Sequence, residues 1–215
     1  REKRPVTEEG SENQVMERIP VLKAMTLLFS NISFWIILMY FAVPSLPGWA
    51  IKNWLPTLFA NNLRLDMSLA GPAATVTIAV SSLIGVVTGG ILSDRWVQRN
   101  IRGRIYVSGI GLGLTIPALV LIGLGDSVTA VIGAAFCFGF GFGMFDANNM
   151  PILCQFVPAA YRATAYGIMN MTGVFAGAVI TDMLGKSTDS GHLGRDFAIL
   201  GGIVAVALIV QQTFL

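Results

Sequence analysis

The chain has 215 residues, of which 54% are hydrophobic and only 12% charged, about half the charged share usual in water-soluble domains. A water-soluble globule of this size cannot hide so much apolar surface. The net charge of +2, with no basic stripe interleaved with aromatics, argues against a nucleic-acid partner.

Residues 1–19 are polar and charged, with Pro5 and Gly10 and no apolar periodicity, and read as a cytosolic linker. From Val21 to Ser30 the positions of Leu22, Met25, Leu27 and Leu28 suggest a short amphipathic helix at the membrane interface, leading straight into the first span. Six long apolar runs follow, at about 30–61, 68–93, 104–124, 128–157, 163–185 and 195–215. Each reaches the roughly 20 residues a helix needs to cross the hydrocarbon core. Only helices and closed barrels satisfy their backbone in lipid, and unbroken runs of this length exclude alternating barrel strands. The fold class is therefore all-α: a polytopic membrane protein built as a six-transmembrane-helix bundle.

The first run carries Pro44, Pro47 and Gly48 in its middle and is expected to be interrupted there. Trp49 and Trp54, near its outer end, suit either an aromatic belt or the wall of a substrate cavity. Small residues recur four apart, in the pairs Gly85/Gly89, Gly109/Gly113, Gly139/Gly143 and Gly173/Gly177. Positions i and i+4 share a helix face, so each pair makes a groove for close helix approach. The stretch Gly109 to Gly113 lies inside an apolar span with no strand before it, so it is not a dinucleotide fingerprint. Cys137 and Cys154 sit in the fourth run, about 25 Å apart along one helix, too far to bridge. The loop at 186–194 carries His192, the sole histidine, read as solvated.

With the N-terminus in the cytoplasm, six crossings place Arg1, Lys3, Arg4, Arg18, Lys23, Arg95, Arg99, Arg102, Arg104 and Arg162 inside. Lys52, Arg64, Lys186 and Arg195 then fall outside. Ten against four is a positive-inside bias that sets both termini in the cytoplasm. The expected setting is an integral, multi-pass protein of a plasma or inner membrane, with the lipid bilayer as a partner. The start Arg-Glu-Lys-Arg, without methionine, reads as part of a longer protein.

The sharpest local pattern is Gly90-Ile-Leu-Ser-Asp94-Arg95, followed by Arg99, Arg102, Gly103 and Arg104, where the second span leaves the membrane. It resembles the signature loop of the major facilitator superfamily, a glycine, three residues, then Asp-Arg and a basic run. Asn100-Ile101 interrupt that basic run. Asn53-Trp-Leu-Pro56-Thr57 resembles a segment of the anion:cation symporter and related branches, and the stretch from Pro20 to Trp35 resembles the linker before their seventh helix. Arg162 to Gly167 and on to Asn170 is similar to the start of their eleventh helix. The resemblance covers essentially the whole chain and maps it onto the second six-helix half, with residues 1–24 as interdomain linker and 25–215 as the C-terminal transmembrane domain.

The resemblance implies two six-helix halves that rock about a substrate held near the bilayer midplane. Spans one, two, four and five of this half would line the cavity, and three and six would face lipid. Gly90 would permit close helix packing, and Asp94 would accept hydrogen bonds from a neighbouring helix N-terminus and hold the inner ends of the two halves together. Arg95 would belong to the same latch, and Arg162 would meet the equivalent loop of the missing N-terminal half.

Within the spans, a carboxylate costs at least roughly 2.5 kcal/mol to insert, so Asp146 should face a cavity or a partner. Asn149, three residues on, shares its face. Tyr40, Asn53, Asp146, Asn149 and Asn170 are the expected cavity residues. Asp146 and Asn149 could equally stitch helices together, since polar side chains often serve as interhelical glue. If Asp146 is functional, it could take up a proton or bind substrate hydroxyls.

The leading expectation is a secondary active transporter for a small polar organic solute. The resembled branch implies organic anions or sugar acids such as hexuronates, coupled to H+ or Na+. A neutral-sugar or sugar-phosphate carrier of the same superfamily is the alternative, and a self-assembling six-helix channel or scaffold is the non-transporter alternative. Neither a His-Glu-x-x-His nor a Gly-x-Ser-x-Gly constellation occurs, so no enzyme, metal site or cofactor is expected.

Overall fold

The computed structural model describes residues 21–214, so the linker expected over residues 1–20 lies outside the described residues. All regular structure among them is helical, and six of the helices are long and apolar enough to cross a membrane. The short helix α1 (Val21–Phe29) is separate from the first span. Ser30 and Asn31 break the chain, and the Asn31 side chain caps α2 (Ile32–Leu63) by accepting from the Ser33 N–H at 2.9 Å. The cap satisfies a donor that the break between the two helices would otherwise leave bare. Leu28 of α1 packs with Phe34 and Ile37 of α2, Leu153 of the fourth span and Ile168 of the fifth.

Contrary to expectation, α2 is not interrupted: it runs unbroken through Pro44, Pro47 and Pro56. It ends at Arg64, which takes the left-handed conformation at φ 51. Asp66 then caps α3 (Met67–Val97) through the Ser68 N–H at 3.1 Å. A tight turn follows, in which Asn100 Oδ1 accepts from the Arg102 N–H at 2.9 Å, and α4 (Gly103–Leu124) begins. After Asp126 comes α5 (Val128–Phe156), then a single 3₁₀ turn at Ala159–Tyr161 and α6 (Arg162–Asp189). Gly191, at φ +74, makes the turn into α7 (Leu193–Phe214), a conformation that glycine adopts without steric cost.

The helices α2, α3, α5, α4 and α7 neighbour one another in that order around the bundle, and α6 packs chiefly on α2. Small residues set this order. Gly85 and Gly89 of α3 lie on the backbone of Phe140 and Met144, while Gly139 and Gly143 of α5 lie on Ser81 and Ser82 of α3. Gly111 of α4 and Gly141 of α5 face each other, as do Gly123 of α4 and Gly194 of α7. On the other side, Gly173 and Gly177 of α6 receive the rings of Phe41 and Trp49 of α2. Dispersion between closely packed backbones holds helices together in lipid, where hydrophobic burial gives little driving force between them.

A Cβ at Gly89 would lie 2.7 Å from the Met144 Cα, backbone that cannot step aside. Gly89→Val in the full-length protein is therefore expected to destabilise by at least about 1–3 kcal/mol. Gly133, in the middle of α5 with open space around it, is the control. Gly133→Ala should be neutral or stabilising by up to about 1 kcal/mol. Thermal unfolding in detergent checks both.

Candidate functional site

The second half of α5 brings polar groups into the apolar bundle. Asn149 is buried and donates from Nδ2 to the Asp146 carboxylate at 3.0 Å. Its own Oδ1 is buried without a hydrogen-bond partner, as is Oδ1 of the adjacent Asn148, whose Nδ2 donates to the Met144 carbonyl at 2.9 Å. Asp146 itself is exposed on the flank of the bundle. The spacing of three residues thus brings together the two groups it predicts, and leaves an amide oxygen beside them to accept from a ligand or water.

Aromatic rings fix this segment against α2. Phe145, fully buried, lies 5.7 Å from Tyr40, 6.4 Å from Phe41 in a stacked pair, and 5.7 Å from Phe142, ring centroid to centroid. Phe142 fills the hollow left by Gly48, where a Cβ would come within 2.6 Å of its ring. The Pro47-Gly48 step therefore gives α5 an approach to α2 instead of a break in the helix. Phe41 also touches Gly173 of α6, three residues beyond Asn170. Phe41 is thus shared by the α5 segment that carries Asp146 and the α6 segment that carries Asn170.

Asn170 is exposed and donates to the Tyr166 carbonyl of its own helix at 3.0 Å. Asn53 lies twelve residues beyond Phe41, about 18 Å along α2, and donates to Thr181 Oγ1 of α6 at 2.8 Å. It ties α2 to α6 far from the Asp146 segment. Trp49 and Trp54 occupy the same seam, against Gly177 and Gly185, with Lys52 Nζ 5.1 Å from the Trp49 ring centroid. Both rings are wedged between α2 and α6.

Tyr40 lies where α2 meets α4 and α7. Its side chain is buried and its hydroxyl is hydrogen-bonded to Ser108 of α4, with Gln211 of α7 beside it. The phase of α2 turns Tyr40 toward α4 and α7, away from the flank where Asp146 is exposed. Ser108 and Gln211 were not anticipated, since a lone polar residue in an apolar run does not disclose which helix it will meet.

The loop at the arginine-bearing end also departs from expectation. Gly90 has open space around it, and it is Gly89 that meets α5 closely. Asp94 Oδ1 accepts from Arg104 Nη2 at 2.8 Å, so its partner is a guanidinium in the first turn of α4 rather than a helix N-terminus. Arg162 is already engaged within this bundle: Nε donates to the Val157 carbonyl at 3.0 Å and Nη2 to the Cys154 carbonyl at 2.9 Å, capping the end of α5. Arg95 is exposed. Among the described residues, no group of three acidic, histidine or cysteine side chains is placed to hold a metal.

This arrangement of six spans agrees with known carriers. The crystal structure of a bacterial homologue of the human lysosomal transporter Spinster, inward-facing and unoccupied, superposes with a TM-score of 0.71 at 14% identity, covering 90% of this chain and 50% of that one. Among curated proteins, the citrate-proton symporter of Klebsiella pneumoniae is 24% identical over 183 residues, 82% of this chain and 40% of that protein. The uncharacterized transporter YybO of Bacillus subtilis (strain 168) is 22% identical over 197 residues, 88% of this chain and 44% of that protein. The chain thus spans less than half the length of the curated relatives it matches. The family pattern itself matches residues 1–181, and the chain belongs to the Major Facilitator Superfamily, a family of transporters and not of enzymes.

Proposed function

We propose that this chain is one six-helix lobe of a secondary active carrier that moves a small organic anion by alternating access, coupled to protons. The observation that carries the reading is the Asp146–Asn149 pair, a carboxylate and a buried amide with a spare acceptor, placed within a membrane-spanning helix of a carrier fold. Similarity to a citrate-proton symporter supports both the anionic cargo and the proton as coupling ion. Asp146 is the group that takes up the proton, and Asn149 and Asn170 supply hydrogen bonds to the cargo.

The charge clamp for the anion belongs to a second lobe. Lys52 lies twenty residues beyond Ile32, about 30 Å along α2 and so at the far boundary of the hydrocarbon. The exposed apolar faces of α3 and α6, with Leu83, Val87, Val174 and Phe175, suit contact with that lobe. The ten-to-four distribution of Lys and Arg supports an arginine-bearing end, and both termini, in the cytoplasm. On that side the Asp94–Arg104 pair acts as the latch that the two lobes share.

In proteoliposomes of the full-length carrier, Asp146→Asn is expected to lower proton-driven carboxylate uptake by at least about tenfold, equivalent to about 1.4 kcal/mol. Unchanged proton-driven uptake removes Asp146 from the coupling. A thermal-shift series with carboxylates, sugar acids and neutral sugars names the cargo class, because a ligand of the native state stabilises it by mass action. For the latch, the Asp94 side chain is 67% exposed. The pair's double-mutant coupling to stability should therefore stay below about 1 kcal/mol, while Asp94→Asn slows substrate exchange several-fold. An unaltered exchange rate overturns the latch.

A further inference from the structure

A further hollow lies away from the Asp146 segment. It is a groove of about 1050 Å³ between α2 and α7. Its walls are aliphatic and outward-facing: Met39 is 52% and Val206 63% exposed, and no charged residue lines it. Two polar side chains border it, Tyr40 and Gln211. The Tyr40 hydroxyl is taken by Ser108. Gln211 is only 5% exposed, and its Nε2 has no hydrogen-bond partner among the described residues. A buried amide left so loses its hydration without a replacement partner, so the site as it stands is incomplete and asks for an acceptor.

The dimensions say which acceptor fits. With six crossings, α2 begins and α7 ends on the same side of the membrane, so Ile32, Trp35 and Gln211 mark the interfacial end of the groove. From Gln211 to Ile199 the groove follows α7 for twelve residues, about 18 Å at 1.5 Å per residue. One leaflet of the hydrocarbon core is about 15 Å thick. The trough is thus one leaflet long, open sideways to hydrocarbon, with its single spare donor close to the end where lipid chains join their headgroups. Trp35 lies at that same end, its indole N–H donating to the Phe29 carbonyl at 2.9 Å.

We propose that this groove holds one acyl chain of a bilayer phospholipid as a retained lipid, with the ester carbonyl accepting a hydrogen bond from the Gln211 amide. The lipid fills the seam where α7 touches α2 along only part of its length, and it completes the polar group that the protein leaves open.

Quantitative lipid extraction from the full-length protein, purified in mild detergent, tests this. About one phospholipid per chain is expected to remain. Gly202 lines the groove and has nothing within 4 Å of its Cβ position, so Gly202→Phe fits the fold and fills the trough. That variant should lose the lipid several-fold. Leu121→Phe, on the exposed face of α4, should retain it. Reconstituted with an equal mixture of ester- and ether-linked phosphatidylcholine, the wild-type protein should retain the ester form several-fold better, and Gln211→Leu should erase that preference. No retained lipid, retention of free fatty acid in its place, equal loss in both Phe variants, or equal retention of ester and ether forms by the wild-type protein would each overturn the proposal.

Discussion

The structure depends on how closely backbones approach α5. Gly139 and Gly143, four residues apart, share a face and receive α3, whereas Gly141, about 200° round the helix from Gly139, receives α4. Two neighbours are thus held at backbone contact on opposing faces, and a sector between them carries Phe142 and Phe145, with Asp146 at its edge beside the face that receives α3. That sector can only turn toward α2 and the bundle's flank. The position of the candidate site is therefore a consequence of where three glycines sit, and Phe142 and Phe145, packed on Gly48 and Phe41, keep the carboxylate at a fixed height.

Where backbone does not meet backbone at a glycine, the seams are looser and polar groups contribute. Between α2 and α6 the ring of Trp49 separates the backbones, and the Asn53–Thr181 bond joins them. Between α2 and α7 the contact is partial, with Tyr40 joined to Ser108 behind it and the Gln211 amide left over. Two kinds of buried polar group result. Hydroxyls such as Ser93, which donates to the Gly89 carbonyl at 2.6 Å, are satisfied by their own helix and carry no message about ligands. Amides of Asn148, Asn149 and Gln211 have more valences than their surroundings meet among the described residues, so these are the groups on which the proposed ligand and lipid contacts rest.

Much of the fold was legible because it is local. Six apolar runs fix six spans, and the i, i+4 glycine pairs at 85/89, 139/143 and 173/177 each proved to be helix seams. The site was legible only in part. The Asp146–Asn149 contact follows from spacing within one helix, so sequence is enough. The partners of Tyr40 were not legible, because the face a residue presents depends on the phase of α2 against helices sixty and more residues away. The motif glycine Gly90 has open space around it in this bundle, whereas Gly89, paired with Gly85 by spacing, is the one in contact with α5. The prolines of α2 misled because a rule drawn from soluble helices neglects the support that neighbours give in a bundle.

The arginine-bearing end shows how the same residues can serve a rigid lobe and a moving one. Arg162 is spent on the last carbonyls of α5, which stiffens the turn between α5 and α6. Arg104 is one-fifth exposed and Asp94 two-thirds exposed, so the anion presents its free side outward while the cation anchors it from within. A carboxylate held on one side only retains acceptor capacity on the other, and exchanging an outer donor for water costs little at such exposure. That asymmetry is what a reversible contact needs: α3 and α4 stay joined through Arg104 whether or not anything meets Asp94 from outside. In the carrier proposed above, rocking would make and break the outer contact without loosening the helices that present it.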